Sequence, residues 1–179
     1  MKKYLIILNV FIVALPALLN AEEKTLFGDD FKSGFYGAPA VKITFVNSEL
    51  AVLLGGHGAW IVNKTFSLGM GGYWLAEDVG NLSMTYGGLE LGYVLFPDRL
   101  LHPAFTALFA TGNASLGSSN DIFFAIEPNV NLEVNVTTWF KANIGASYRF
   151  VMGVDGLTGI NNRDLSGPAA GIILKFGFF

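Results

Sequence analysis

The chain has 179 residues, 52% hydrophobic and only 14% charged, with a formal charge of −3 and no cysteine. That composition excludes disulfide, thiol and lipoprotein chemistry, and the acidic balance argues against a nucleic-acid partner. It would suit a helical membrane protein, but beyond the N-terminal apolar stretch no run of about 18 uninterrupted apolar residues exists. A lipid-exposed chain without a spanning helix has to satisfy its backbone by closing a sheet on itself.

The opening segment MKKYLIILNVFIVALPALLNA places Lys2 and Lys3 before an apolar stretch from Tyr4 to Leu19 and ends in the small Ala21. This is the plan of a signal peptide cleaved after residue 21. An uncleaved transmembrane helix is the alternative; Asn9, Pro16 and the short length stand against it. Cleavage leaves nine cations against 14 carboxylates. Residues 22–34 then form a short tail, and residues 35–179 one domain.

Turn residues divide that domain into eight predicted strands: Phe35–Val46, Leu50–Val62, Thr65–Glu77, Met84–Phe96, Ala104–Gly112, Ile122–Val136, Trp139–Met152 and Pro168–Phe179. Each is long enough for the roughly 9 to 11 residues of a tilted membrane strand. The sixth and seventh show the pattern best. Val130, Leu132, Val134 and Val136 share one face, and Asn129, Asn131, Glu133 and Asn135 share the other. Past Thr137-Thr138 the apolar series resumes with Phe140, Ala142 and Ile144, opposite Lys141, Asn143, Ser147 and Arg149. A soluble lipocalin-like barrel also alternates, but an aromatic-rich apolar face in hairpin after hairpin fits lipid outside and a polar lumen inside. The expected fold is all-β: an eight-stranded antiparallel up-and-down transmembrane β-barrel preceded by a signal peptide.

An even strand count leaves both termini at one end. The connections at that end are Asn63-Lys64, Pro97 to Pro103, and Thr137-Thr138. Those at the other are Asn47 to Glu49, Asp78 to Ser83, Asn113 to Asp121, and Gly153 to Gly167. Parity assigns Lys42, Glu90, Glu127, Glu133, Lys141, Arg149 and Lys175 to the lumen, four cations facing three carboxylates. A misplaced Lys on the lipid face would cost about 2–4 kcal/mol, so this balance supports the register. The fifth strand, AFTALFATG, is apolar on both faces and its orientation stays open. Glycines crowd the second to fourth strands, where curvature explains them better than a phosphate loop, since no helix follows. Aromatics near the strand ends suggest two interfacial girdles: Trp60, Phe66, Phe105, Trp139, Phe140, Phe178 and Phe179 at the terminal end, and Tyr73, Trp74, Tyr86, Phe123, Phe124 and Phe150 at the other.

The closing run GIILKFGFF resembles the last strand of Gram-negative outer-membrane proteins, which end in an aromatic residue read by the barrel-assembly machinery. With the strand count, the chain resembles the small barrels typified by the OmpA transmembrane domain, OmpX and OmpW. The resemblance implies an outer-membrane location, contact with outer-membrane lipid and lipopolysaccharide, and a role for Phe179 as assembly signal. The apolar series Ile172, Leu174, Phe176, Phe178 is one step out of phase with Phe179. A terminal bulge or a variant signal follows.

For function, three readings compete. In the first, the barrel is a monomeric structural or passive transport-related protein whose charged lumen is filled. In the second, the loops Asn113 to Asp121 and Gly153 to Gly167 bind a surface or ligand, although the former is small and polar, as solvated loops are. In the third, the barrel modifies lipid A with His, Ser and a carboxylate. Only His57 and His102 exist. His57 is expected to bond a lumen carboxylate and His102 to be exposed in a turn; no serine follows His57 at the spacing of such enzymes. No cofactor, metal cluster or catalytic set is expected.

Overall fold

The computed structural model describes residues 32–179. The expected signal sequence lies outside the described residues. Eight strands follow in chain order: β1 (Ser33–Val46), β2 (Glu49–Val62), β3 (Phe66–Leu75), β4 (Leu82–Val94), β5 (Leu101–Leu116), β6 (Ser119–Asn135), β7 (Phe140–Met152) and β8 (Gly167–Phe178). A one-turn helix, α1 (Asn162–Leu165), precedes β8. Each strand pairs antiparallel with the next, and β8 pairs with β1 to close the barrel. β1 starts at Ser33, so the end of the expected tail already belongs to the wall.

The period-2 pattern sets which face looks where. In β1, Tyr36, Ala38, Ala40, Lys42 and Thr44 are buried, while Phe35, Val41, Ile43 and Phe45 remain 46–60% exposed. Apolar side chains therefore face outward and charged ones inward, which is stable only where the outside is hydrocarbon. The undecided fifth strand obeys the same parity: His102, Ala104, Leu108, Ala110 and Ala114 point in, and Phe105 and Phe109 point out. At Asn47-Ser48 and Asn63-Lys64 the backbone takes consecutive positive φ values, the left-handed pair that tight hairpins of matching twist require.

Three expectations are corrected. The segment Asn113 to Asp121 is not a loop: the ladder runs on through Asn113 opposite Ile122 and Ala114 opposite Asp121 to a turn at Gly117-Ser118. Above the hydrocarbon a strand can be polar on both faces, so polarity there signals height rather than irregular backbone. At the other end β5 begins at Leu101 and takes in His102 and Pro103; a proline near the first residue of a strand leaves the ladder intact. Of the loop-end girdle, Trp74, Phe124 and Phe150 do face outward, but Tyr73, Tyr86 and Phe123 point inward and are 0–3% exposed. Tyr86 shares parity with Glu90, and Phe123 with Glu127. Parity, not height along the strand, decides their side.

Those inward rings also explain many of the glycines. A Cβ on Gly55 would strike the Tyr73 ring, one on Gly112 the Phe123 ring, and one on Gly71 would sit 2.6 Å from His57 Nδ1. Missing side chains on one strand make room for large ones on its neighbours.

Candidate functional site: the charged lumen

All seven predicted lumen charges are buried, none more than 6% exposed. They form two clusters and a link. Near the terminal end, Glu133 on β6 receives Lys175 Nζ at 2.7 Å, Lys141 Nζ at 3.1 Å and His102 Nε2 at 3.1 Å. His102, expected to be exposed, is 1% exposed, and its Nδ1 lies 2.9 Å from the Arg99 carbonyl. Its neighbours in sequence look like a turn, but its parity is that of the lumen.

Toward the loop end, Glu127 pairs with Lys42 from β1 and accepts from Ser147 Oγ and Tyr86 OH, both at 2.7 Å. Lys42 also lies 4.0 Å above the Tyr73 ring. The third carboxylate, Glu90, brings its Oε2 within 2.7 Å of His57 Nδ1, although that nitrogen makes no hydrogen bond. His57 Nε2 meets Tyr73 OH at 2.6 Å. His57 thus sits against a lumen carboxylate, as expected.

From the hairpin register around Thr137-Thr138, Glu127 and Arg149 fall at matching depths and would be expected to pair, but they do not. The ladder is as expected: Ile126 opposite Phe150 and Asn129 opposite Ser147 put Glu127 level with Arg149. Yet Arg149 turns its Nε to the Leu165 carbonyl at 2.7 Å and its Nη1 to Tyr86 OH at 3.3 Å. Tyr86 stands between the two charges, accepting from one and donating to the other. Glu133 and Lys141 do meet, Lys175 joins them on Glu133, and Glu90 lies against His57.

A cap closes the loop end. Residues 153–166 fold over the mouth with Val154, Leu157, Ile160 and Leu165 buried beneath them. Asn161 caps α1 by accepting from Arg163 N. Asn47 N donates to the Asp164 carbonyl at 2.6 Å, and Val151 N to Ser166 Oγ at 2.9 Å. Asp121 Oδ2 accepts from Asp155 N and Gly156 N. Sequence reasoning treated this segment as a free loop. Its apolar residues at positions 154, 157 and 160 were the available sign that one side is buried.

Phe179 also departs from expectation. Its ring stacks on Tyr36 with centroids 6.2 Å apart, and Lys141 Nζ lies 4.4 Å above it. Phe178, 68% exposed, takes the outward position beside Phe35. The strand stays regular to Phe178, so no bulge resets the phase. Phe179 is an inward aromatic plug at the terminal end.

Chemically, the lumen holds three carboxylates, each against a cation or histidine, and Arg149 on a carbonyl and a tyrosine hydroxyl, with tyrosines packed between them. Among the described residues no group of His, Asp and Glu is arranged to hold a metal ion. No protein-family model and no curated protein matches the sequence. Among solved structures the chain is similar to the N-terminal β-barrel domain of Pseudomonas aeruginosa OprF: TM-score 0.63, 17% identity, covering 83% of this chain and 100% of that one. It is also similar to Neisserial surface protein A (TM-score 0.59, 11% identity, 83% and 99% covered) and to Ail, the attachment invasion locus protein of Yersinia pestis (TM-score 0.48, 10% identity, 82% and 97% covered). The closed sheet, its inverted burial and the first two of these likenesses give this chain the fold of the small eight-stranded outer-membrane β-barrels.

Proposed function

We propose that this chain is a monomeric integral barrel of the outer membrane, surrounded by membrane lipid and lipopolysaccharide, with a filled lumen and a structural or passive role rather than catalysis. The carrying observation is the lumen itself. Every carboxylate in it meets a cation or histidine, and the mouth is capped by residues 153–166. An eight-stranded barrel is just wide enough for its side chains to fill it, so an interior packed with these side chains leaves no path for solutes. The tight turn at Gly117-Ser118 and the folded cap give the loop-binding reading little extended surface.

In this reading residues 1–21 direct export and are removed, and the C-terminal aromatics serve the barrel-assembly machinery. Single-channel recording of the refolded protein in a planar bilayer tests the proposal. A closed baseline is expected; stable, open steps in the wild-type chain would replace the filled-barrel role with a pore.

A further inference from the structure

The buried charges of the lumen do not balance. Lys42, Lys141, Arg149 and Lys175 stand against Glu90, Glu127 and Glu133, so with both histidines neutral the described interior holds four cations and three carboxylates, an excess of one positive charge. The unmatched cation is Arg149. It is 0% exposed, and none of the ion pairs among the described residues includes it. A lysine can relieve such an imbalance by losing its proton, but a guanidinium cannot.

The guanidinium also has donors to spare. Nε donates to the Leu165 carbonyl and Nη1 to Tyr86 OH, whereas Nη2 is buried and has no partner. The other buried side-chain atoms left unpartnered among the described residues belong to Asn131, Asn135, Asn143 and His57. Amides and an imidazole can be neutral, and water satisfies them. A permanently charged donor is different: under the apolar cap the local dielectric is low, so a negative charge there gains far more than a water dipole.

The neighbours of Arg149 give that charge its place. On the β6 flank Glu127, bonded through Tyr86, repels an anion. On the β8 flank Arg149 lies opposite Gly167, followed inward by Ala169, itself opposite Thr44 on β1. The Thr44 hydroxyl is turned to the Pro168 carbonyl at 2.8 Å. Leu165 and the rest of the cap close over this flank. Small side chains beneath a closed cover admit a monatomic ion and exclude a bulky one.

We infer that Arg149 holds one small inorganic anion, a halide such as chloride, at Nη2 beneath the cap. This goes beyond the filled-barrel role and rests on the fold; conductance tests that role, and anion dependence tests this site.

The full chain refolded in detergent is titrated with urea at fixed ionic strength while sodium gluconate is replaced by sodium chloride. An anion that binds only the folded state multiplies the folded-to-unfolded ratio, by about tenfold once chloride reaches roughly ten times its dissociation constant. That rise is expected in the wild type. Arg149→Met should abolish it, and Arg163→Met, at an exposed position of the cap, should keep it. If Arg149→Met does not refold, crystals of the wild type grown in sodium bromide make the second test, and their anomalous scattering should place a bromide within hydrogen-bond reach of Arg149 Nη2. A ratio indifferent to chloride, a dependence that survives Arg149→Met, or no bromide at Nη2 would overturn the inference. A bromide at Nη2 without chloride dependence in solution would mean an adventitious ion only, and would overturn it as well.

Discussion

Lys42 shows what a narrow barrel permits and a strand ladder does not reveal. Its partner Glu127 sits on β6, reached across the lumen rather than along a neighbouring strand. Parity alone was enough to place both side chains inside, because one charge on the lipid face is so costly. Partner choice was not legible, since cross-strand pairing speaks only for adjacent strands. Lys42→Ala should strand Glu127 without its cation and destabilise the refolded barrel by about 3–5 kcal/mol in denaturant titrations. A double-mutant cycle between Lys42 and Glu127 should show strong coupling. The Glu127–Arg149 cycle should show only weak coupling, falling to the noise when Tyr86→Phe removes the hydroxyl between them; direct strong coupling would contradict the geometry. Phe179 carries a second residue-scale expectation. Because it packs on Tyr36 and Lys141, Phe179→Ala should cost about 1–3 kcal/mol in vitro as well as lower outer-membrane yield in cells. A yield defect at unchanged stability would make it a recognition signal alone.

Among the elements, the cap is held by groups of different character. Apolar burial under Val154, Leu157, Ile160 and Leu165 fixes one side, and Asp121 pins the other through two consecutive backbone N–H groups. The Gly156 amide first, then that of Asp155, holds the Asp121 carboxyl below its ordinary value near 3.8. A carboxyl so depressed stabilises the latched cap fully above that ordinary value, and the contribution is lost as pH falls through the lower folded-state pKa. Amide exchange at Asp155 and Gly156 should therefore be protected at neutral pH and lose protection in strong acid, and Asp121→Asn should abolish this pH dependence. Persistent protection at low pH in the wild type would assign the latch to packing alone. The strands of the wall were readable in the sequence, since period 2 repeats over a dozen residues. The cap was not. Its apolar residues are interspersed with Gly, Asn and Asp, which more often signal solvated chain, and only the mouth of the closed barrel gives them something to cover.

At the scale of the whole molecule, closure makes every strand interior. The seam between β1 and β8, with Phe35 opposite Phe178 and Val41 opposite Ile172, is bonded like the seven hairpins. The order of the strands around the wall is therefore cyclic, and the point where the polypeptide happens to start is a matter of connectivity, not of architecture. Joining Phe179 to Ser33 through a short linker and opening the chain at Gly117-Ser118 would give the order β6 to β8 followed by β1 to β5 with every pairing kept. Such exposed turn tips are where permutation is tolerated. The permutant is expected to refold to the same heat-modifiable species with stability within about 1 kcal/mol of the parent, measured by urea titration in detergent. What should change is the route: the most distant contact in the original chain becomes a local one, and the new opening between β5 and β6 becomes the last to zip, so refolding rate rather than final stability will report the cut.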